Sequence, residues 1–110
     1  MHVGDLDGVS FNDGNQWKAT VTITVHTADH ELLSNATISG DWSRGNLNSG
    51  SCVTNASGVC NVTSGRIPDS RPSVNFTVTG VTRAGVVYRS TSNHDPDASS
   101  NGTVINVLSP

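Results

Sequence analysis

Hydrophobic and polar residues alternate most regularly in the stretch WKATVTITVHT, which begins at residue 17. The apolar residues occupy every second position and are separated by Lys, Thr and His; they are Trp17, Ala19, Val21, Ile23 and Val25. Strict alternation of this kind is typical of a β-strand with one face in the core and the other in solvent. The sequence therefore predicts a long, half-buried strand, preceded by a hairpin turn at Asp13-Gly14.

Shorter runs of apolar residues recur along the rest of the chain. ATISGDW directs Ala36, Ile38, Gly40 and Trp42 to one face, and SVNFTVTGV does the same with Val74, Phe76 and Val78. GVVYRS and TVINVL have apolar residues on both faces, so their registers stay ambiguous. Seven or eight such strands with frequent turn signals predict an antiparallel β-sandwich, with an up-and-down barrel as the alternative. Because the connections vary in length, we favour the sandwich and expect residues 1–110 to form a single domain.

Composition supports an all-β fold and argues against two kinds of partner, nucleic acids and membranes. Helix-favouring residues are scarce, while Ser, Thr, Asn and Gly dominate. Charged residues make up only 14% of the chain and the net charge is −3, so we expect no nucleic-acid binding. No apolar run approaches the roughly 20 residues of a membrane span, so we expect no membrane insertion.

Two cysteines, Cys52 and Cys60, flank the sequence VTNASGV. A strand, a turn and a returning strand would bring them face to face. This spacing predicts a disulfide that pins one hairpin, rather than one that joins two sheets, and an oxidising compartment. A pair of reduced, buried thiols is the alternative.

The segment NATISGDWS, a Gly/Asn-rich loop and then CVTNASGVCNVTS together resemble the bacterial immunoglobulin-like modules of invasin and adhesin type. The residues that fall on the hairpin pattern of that family are Thr54, Asn55, Ala56, Gly58 and Val62. VGDLDG and NHDPD look like modules at the C-terminal end of secreted bacterial hydrolases, proteases among them. The resemblance implies a non-catalytic, Ig-like accessory, spacer or adhesion module of a larger secreted bacterial protein, with the parent protein's other domains as its partners.

Oxygen-bearing side chains are concentrated in two stretches, GDLDG near the N-terminus and NHDPDASSNG near the C-terminus. If the first segment of a sandwich lies beside the last loop, these carboxylates converge and repel one another. A bound Ca²⁺, which prefers oxygen ligands, would offset that repulsion. We therefore expect a structural calcium site formed by Asp5, Asp7, Asp95, Asp97 and Asn101. Ordinary turn capping by Asp and Asn is the alternative.

The histidines suggest a second metal hypothesis. His2 and His94 adjoin the two acidic stretches, so a zinc or manganese site of two histidines and carboxylates is an alternative to calcium. His26 is predicted to be an outward-facing strand residue and His30 a corner residue, and neither is expected to be a ligand.

No sequence feature predicts catalysis. The chain has no Gly-x-Ser-x-Gly motif and no evident nucleophile and base, so we expect no enzyme. Binding of a polysaccharide or another extracellular polymer is the alternative function, and it requires exposed aromatic rings. Alternation places Trp17, Trp42 and Phe76 inward, which leaves only Phe11 and Tyr88 for such a surface.

Overall fold

A computed structural model describes residues 1–43, 49–95 and 100–110. The described residues contain eight strands, which are β1 (His2–Asp13), β2 (Gln16–His26), β3 (Thr37–Trp42), β4 (Ser49–Val53), β5 (Val59–Thr63), β6 (Ile67–Pro68), β7 (Ser73–Thr82) and β8 (Val104–Leu108). One short 3₁₀ turn, Ser90–Ser92, precedes the last strand. Among the described residues, no helix has the length and apolar character needed to cross a membrane.

The strands form two antiparallel sheets. In the first sheet β2 lies between β1 and β5, and the short β6 also pairs with β2. In the second sheet the order is β4-β3-β7-β8. Two separate sheets with a shared core make a sandwich rather than a barrel, so the predicted fold class is confirmed. The architecture is compatible with an Ig-like module.

The residues that alternation predicted to point inward lie in the core. All five apolar residues of β2 are buried, as are the predicted inward residues of β3 and β7. Trp42 of β3 packs against Phe76 of β7, with ring centroids 4.9 Å apart. In β8, whose register was ambiguous in sequence, Ile105 and Val107 face the core and Asn106 faces solvent.

The N-terminal hairpin differs from the sequence prediction in two ways. The first 13 residues contain β1, a strand of 12 residues that the sequence did not predict. Its alternation is hidden by a β-bulge between Val3 and Asp5, which shifts the register against β2. The turn lies at Gly14-Asn15, between the paired residues Asp13 and Gln16, one position later than expected.

The strand expected at GVVYRS is absent from the described residues. Arg83 and Val86 instead close a tight turn, in which the N–H of Val86 donates to the carbonyl of Arg83. Val87 is exposed, whereas Val86 and Tyr88 pack against the edge of the core. This apolar run therefore covers the sandwich as an irregular segment, which explains why it has apolar residues without a clear alternation.

The disulfide between Cys52 and Cys60 is present, as predicted, but its position in the fold is different. Cys52 lies in β4 of the second sheet and Cys60 lies in β5 of the first sheet. The bridge therefore joins the two sheets, and the expected hairpin within one sheet is wrong. The cause is the turn at Asn55–Val59, which carries the chain from one sheet to the other instead of returning it beside β4.

Candidate metal centre

All four histidines of the sequence converge at one end of the sandwich. Each contributes a ring nitrogen, and these four nitrogens lie within 4.8 Å of one another; the residues are His2, His26, His30 and His94. The centroids of the six ring pairs are 5.0 to 6.0 Å apart. Residues from three distant parts of the chain therefore meet in one cluster, which we call the histidine cluster.

The ladder between β1 and β2 positions the first two histidines. His2 begins β1 and His26 ends β2, and the two are directly paired across the ladder. Gly4, next to the bulge, makes room for the second ring, because a Cβ on Gly4 would overlap Nδ1 and Cε1 of His26. The His26 ring thus lies against the backbone of β1 at Gly4, where any larger residue would collide with it.

A tight turn after β2 positions the third histidine. The N–H of Thr27 donates to the carbonyl of Glu31, and the N–H of His30 donates to the carbonyl of Thr27. The Thr27 hydroxyl also accepts from the N–H of Glu31. His30 has a φ of +63°, in the left-handed region that non-glycine residues seldom occupy. The turn therefore presents an unusual backbone conformation at the residue that completes the cluster.

The fourth histidine is held against β1 by backbone hydrogen bonds. The N–H of His94 donates to the carbonyl of Val3, and the side-chain oxygen of Asn93 accepts from the N–H of Val3. The Asn93 amide nitrogen donates to the Tyr88 hydroxyl and to Oγ1 of Thr103. These contacts join a short segment of the loop before β8 to the start of β1 and fix where the backbone of His94 lies.

The ring of His94 has a defined orientation as well. Its Nδ1 lies 3.3 Å from the backbone carbonyl of Ser92. A hydrogen bond from Nδ1 to this carbonyl leaves Nε2 as the nitrogen with an available lone pair. Ligating histidines characteristically use one ring nitrogen for the metal and the other for such a partner.

Burial and repulsion between the rings lower the pKa of two of the four histidines. Burial first, and then repulsion by His94, His30 and His26, lowers the pKa of His2 from 6.5 to about 4. The pKa of His26 is lowered by burial, then by His94 and His30. Neutral imidazole is the form that binds metal ions, so His2 and His26 each hold a lone pair ready at neutral pH.

Two ring nitrogens of the histidine cluster lack the hydrogen bonds that buried polar atoms ordinarily make. Nε2 of His2 and Nδ1 of His26 are buried and have no hydrogen-bond partner among the described residues. His2 as a whole is only 3% exposed. An unpaired buried nitrogen costs about 1–3 kcal/mol, so a native structure with two of them in one cluster requires an explanation. A bound cation would satisfy both.

The donor set fits a transition-metal ion. Zn²⁺ binds imidazole nitrogen at about 2.0–2.1 Å in tetrahedral geometry, which places the ligand atoms about 3.3 Å apart. The four nitrogens would have to approach one another by at most about 1.5 Å, which is within the range of side-chain rotation. Imidazole suits Zn²⁺, Cu²⁺, Ni²⁺ and Fe²⁺, whereas Ca²⁺ requires oxygen.

Of the residues predicted to bind calcium, the structure brings three carboxylates together, those of Asp5, Asp7 and Asp95. Asp5 is near Asp7 and Asp95, and its pKa is raised to about 7 by burial first, and then by hydrogen bonds and repulsion from those two carboxylates. Asp95 also accepts a hydrogen bond from the Ser100 hydroxyl. Asn101 uses its side-chain oxygen to accept the N–H groups of two following residues, as a turn cap does. Asp97 lies outside the described residues.

Sequence reasoning considered His2 and His94 as ligands but missed His26 and His30. His26 was counted as an outward strand residue and His30 as a corner residue, and the spacing between the two was overlooked. The spacing of the missed pair, His26-x-x-x-His30, was the available signal, because two histidines four residues apart recur in metal sites.

Comparison with known proteins found no matching family model, no matching curated protein and no matching solved structure.

Proposed function

We propose that this domain is a non-catalytic accessory module that binds one transition-metal ion, of which zinc is the best fit, through His2, His26, His30 and His94. The observation that carries the proposal is the convergence of all four histidines with two buried, unpartnered ring nitrogens among them. Four protein ligands fill a tetrahedral ion, as in structural sites. The ion would then cross-link the start of β1, the turn after β2 and the loop before β8.

The setting of this module is part of the same proposal. A disulfide is stable in an oxidising compartment, which supports an extracellular location. The sandwich architecture is compatible with the bacterial immunoglobulin-like modules, which the sequence around Thr54 and Gly58 resembles, and it supports a role as a spacer or adhesion unit of a larger secreted protein. Metal and disulfide would both suppress the local opening on which proteases act.

A calcium ion at the carboxylates is a second, separate proposal. Asp5 lies near Asp7 and Asp95, and the raised pKa of Asp5 reflects the difficulty of holding this charge without a cation. Calcium would bind here through oxygen and leave the histidines to the transition metal. The polymer-binding alternative has less support, because Trp17 and Trp42 are buried and offer no surface on which a sugar ring could stack.

The test is a thermal melt of untagged protein, since a polyhistidine tag would itself bind the metal. The protein is stripped with EDTA, dialysed, and melted without reductant in the absence of metal, in Zn²⁺ and in Ca²⁺. At about 100 times its dissociation constant, a ligand of the folded state adds about 2.7 kcal/mol. For a domain of this size we expect a rise in Tm on the order of 10 °C in Zn²⁺.

Two variants assign any shift to its site. His94→Gln should abolish the zinc shift and keep a calcium shift, whereas Asp95→Asn should do the reverse. One zinc per chain, counted by elemental analysis, is the expected stoichiometry. Identical melts with and without zinc, together with no bound metal, would contradict the proposed zinc site.

A further inference from the structure

The four candidate ligands are held with unequal firmness. His2 and His26 are paired in the ladder of β1 and β2, and the backbone of His94 is hydrogen bonded to β1. His2 is buried and both His26 and His94 are half-buried, whereas His30 is exposed. His30 also belongs to a turn in which Ala28, Asp29 and Glu31 are exposed. Three ligands are thus fixed to the sheet, and the fourth is carried by a surface turn.

A second turn in the chain has the same backbone conformation as the turn that carries His30. Thr27–Glu31 and Asn55–Val59 share one hydrogen-bond pattern: the first N–H donates to the fifth carbonyl, and the fourth N–H donates to the first carbonyl. The fourth residue has a φ of +63° at His30 and +73° at Gly58. A side chain in this region is disfavoured by roughly 1–2 kcal/mol, and glycine avoids that strain.

The two turns together show that this backbone conformation does not depend on a histidine side chain. Since Gly58 supports the same turn without a side chain, the backbone of Thr27–Glu31 does not need His30 in order to form. The side chain of His30 accounts for the strain, because it brings an imidazole ring to the histidine cluster. The ring centroids of His30 and His2 are 5.0 Å apart. Backbone strain of this kind is characteristic of functional positions.

Building on the proposed metal centre, we propose that His30 is a displaceable ligand, and that its departure opens one coordination position at which the ion takes a small anion from solvent. Three histidines suffice to retain a zinc-type ion with the fourth position open to an outside ligand. The three firmly held histidines make up such a set here. His30 closes the position on the solvent side, where an incoming anion would arrive.

The test uses untagged protein loaded with Co²⁺, whose visible absorption reports its coordination, and azide as the anionic probe. His30→Gly is the informative variant because Gly58 shows that the turn accepts glycine. We expect it to retain one cobalt per chain and to change its spectrum at an azide concentration at least about tenfold lower than the wild type needs. A tenfold difference corresponds to an open position populated at no more than about 10% in the wild type. His94→Gln, which removes a firmly held ligand, should lose the cobalt at the same protein concentration.

Each outcome bears on a separate claim. If the wild type binds no cobalt, the proposed metal centre fails before His30 is tested. If the wild type binds cobalt but His30→Gly loses it as completely as His94→Gln, His30 is an essential ligand and not a displaceable one. Equal azide sensitivity of wild type and His30→Gly would also overturn the inference. Melts in EDTA check folding, and His30→Asn, which tolerates the left-handed conformation, replaces the glycine variant if that variant is unfolded.

Discussion

At the scale of single residues, Asp5 is a side chain whose negative charge the fold disfavours. Its pKa is raised to about 7, by burial first and then by its contacts with Asp95 and Asp7. In the unfolded chain the same carboxyl ionises near 3.8. At a pH between these two values, the Asp5 carboxyl is protonated in the folded state and ionised in the unfolded state. The metal-free domain therefore loses stability through Asp5 as the pH rises from about 4 to about 7.

Asp5→Asn should remove this dependence, because the amide has nearly the same shape and cannot ionise. In EDTA at pH 8 we expect the variant to melt several °C above the wild type, since about 1 kcal/mol corresponds to about 4–8 °C in a domain of this size. The difference should shrink as the pH falls towards 4. His2, with its pKa lowered to about 4, acts in the opposite direction over the same range, but it is present in both proteins and cancels in the comparison. A difference in Tm that is constant from pH 4 to pH 8 would contradict this account.

At the scale of elements, the bulge in β1 is what joins the histidine cluster to the sheet. It lies between Val3 and Asp5 and brings Gly4 beneath the ring of His26. The neighbouring Val3 binds the loop before β8 with both its N–H and its carbonyl, through Asn93 and His94. One irregular position in β1 therefore positions two of the four candidate ligands.

Gly4→Ala should accordingly weaken zinc binding. The added Cβ would overlap the His26 ring and force it to rotate away from the other three histidines. We expect zinc affinity, measured by calorimetry on untagged protein, to fall by about 10–100-fold, as it does when the groups that orient a ligand are lost. Gly80→Ala in β7 is the matched control, because a Cβ there meets nothing within 4 Å. Unchanged affinity in Gly4→Ala would show that His26 is not a ligand.

Elements whose alternation is regular could be predicted from the sequence. β2, β3 and β7 each bury one face, and period-two patterns identify such strands directly. β1 was missed because its bulge breaks the period and because His2 and Asp5 look like loop residues. GVVYRS was mistaken for a strand because apolar content alone does not distinguish a strand from an irregular segment that covers the core.

The histidine cluster could be predicted only in part, since it depends on register. His2 meets His26 because β1 pairs with β2 in one particular alignment, which the bulge shifts by a residue. His94 joins them through hydrogen bonds to a strand about 90 positions earlier in the chain. Local patterns contain no information about such long-range pairing. The spacing of His26 and His30 was the one local signal, and it identifies only two of the four candidate ligands.

At the scale of the whole molecule, the disulfide and the proposed metal ion would both strengthen the contact between the two sheets. A sandwich is held together mainly by side-chain packing between its sheets, because the backbone hydrogen bonds run within each sheet. Cys52 and Cys60 add a covalent link between the two sheets. The histidine cluster adds a link between the first sheet and the loop that enters β8 of the second. With the proposed ion bound, the domain would resist separation of its sheets at two points.

The contribution of the covalent link can be measured by removing it. In the chain-entropy model, a bridge between cysteines eight residues apart stabilises by about 2–3 kcal/mol. We expect the double variant Cys52→Ala, Cys60→Ala to lose about that much free energy of unfolding, measured by urea titration in EDTA. Because the bridge joins the sheets, its loss should also weaken packing at Cys60, which lies in the core beside β2. Amide hydrogen exchange should then accelerate in both β4 and β5, whereas a link confined to the turn would affect Asn55–Val59 alone.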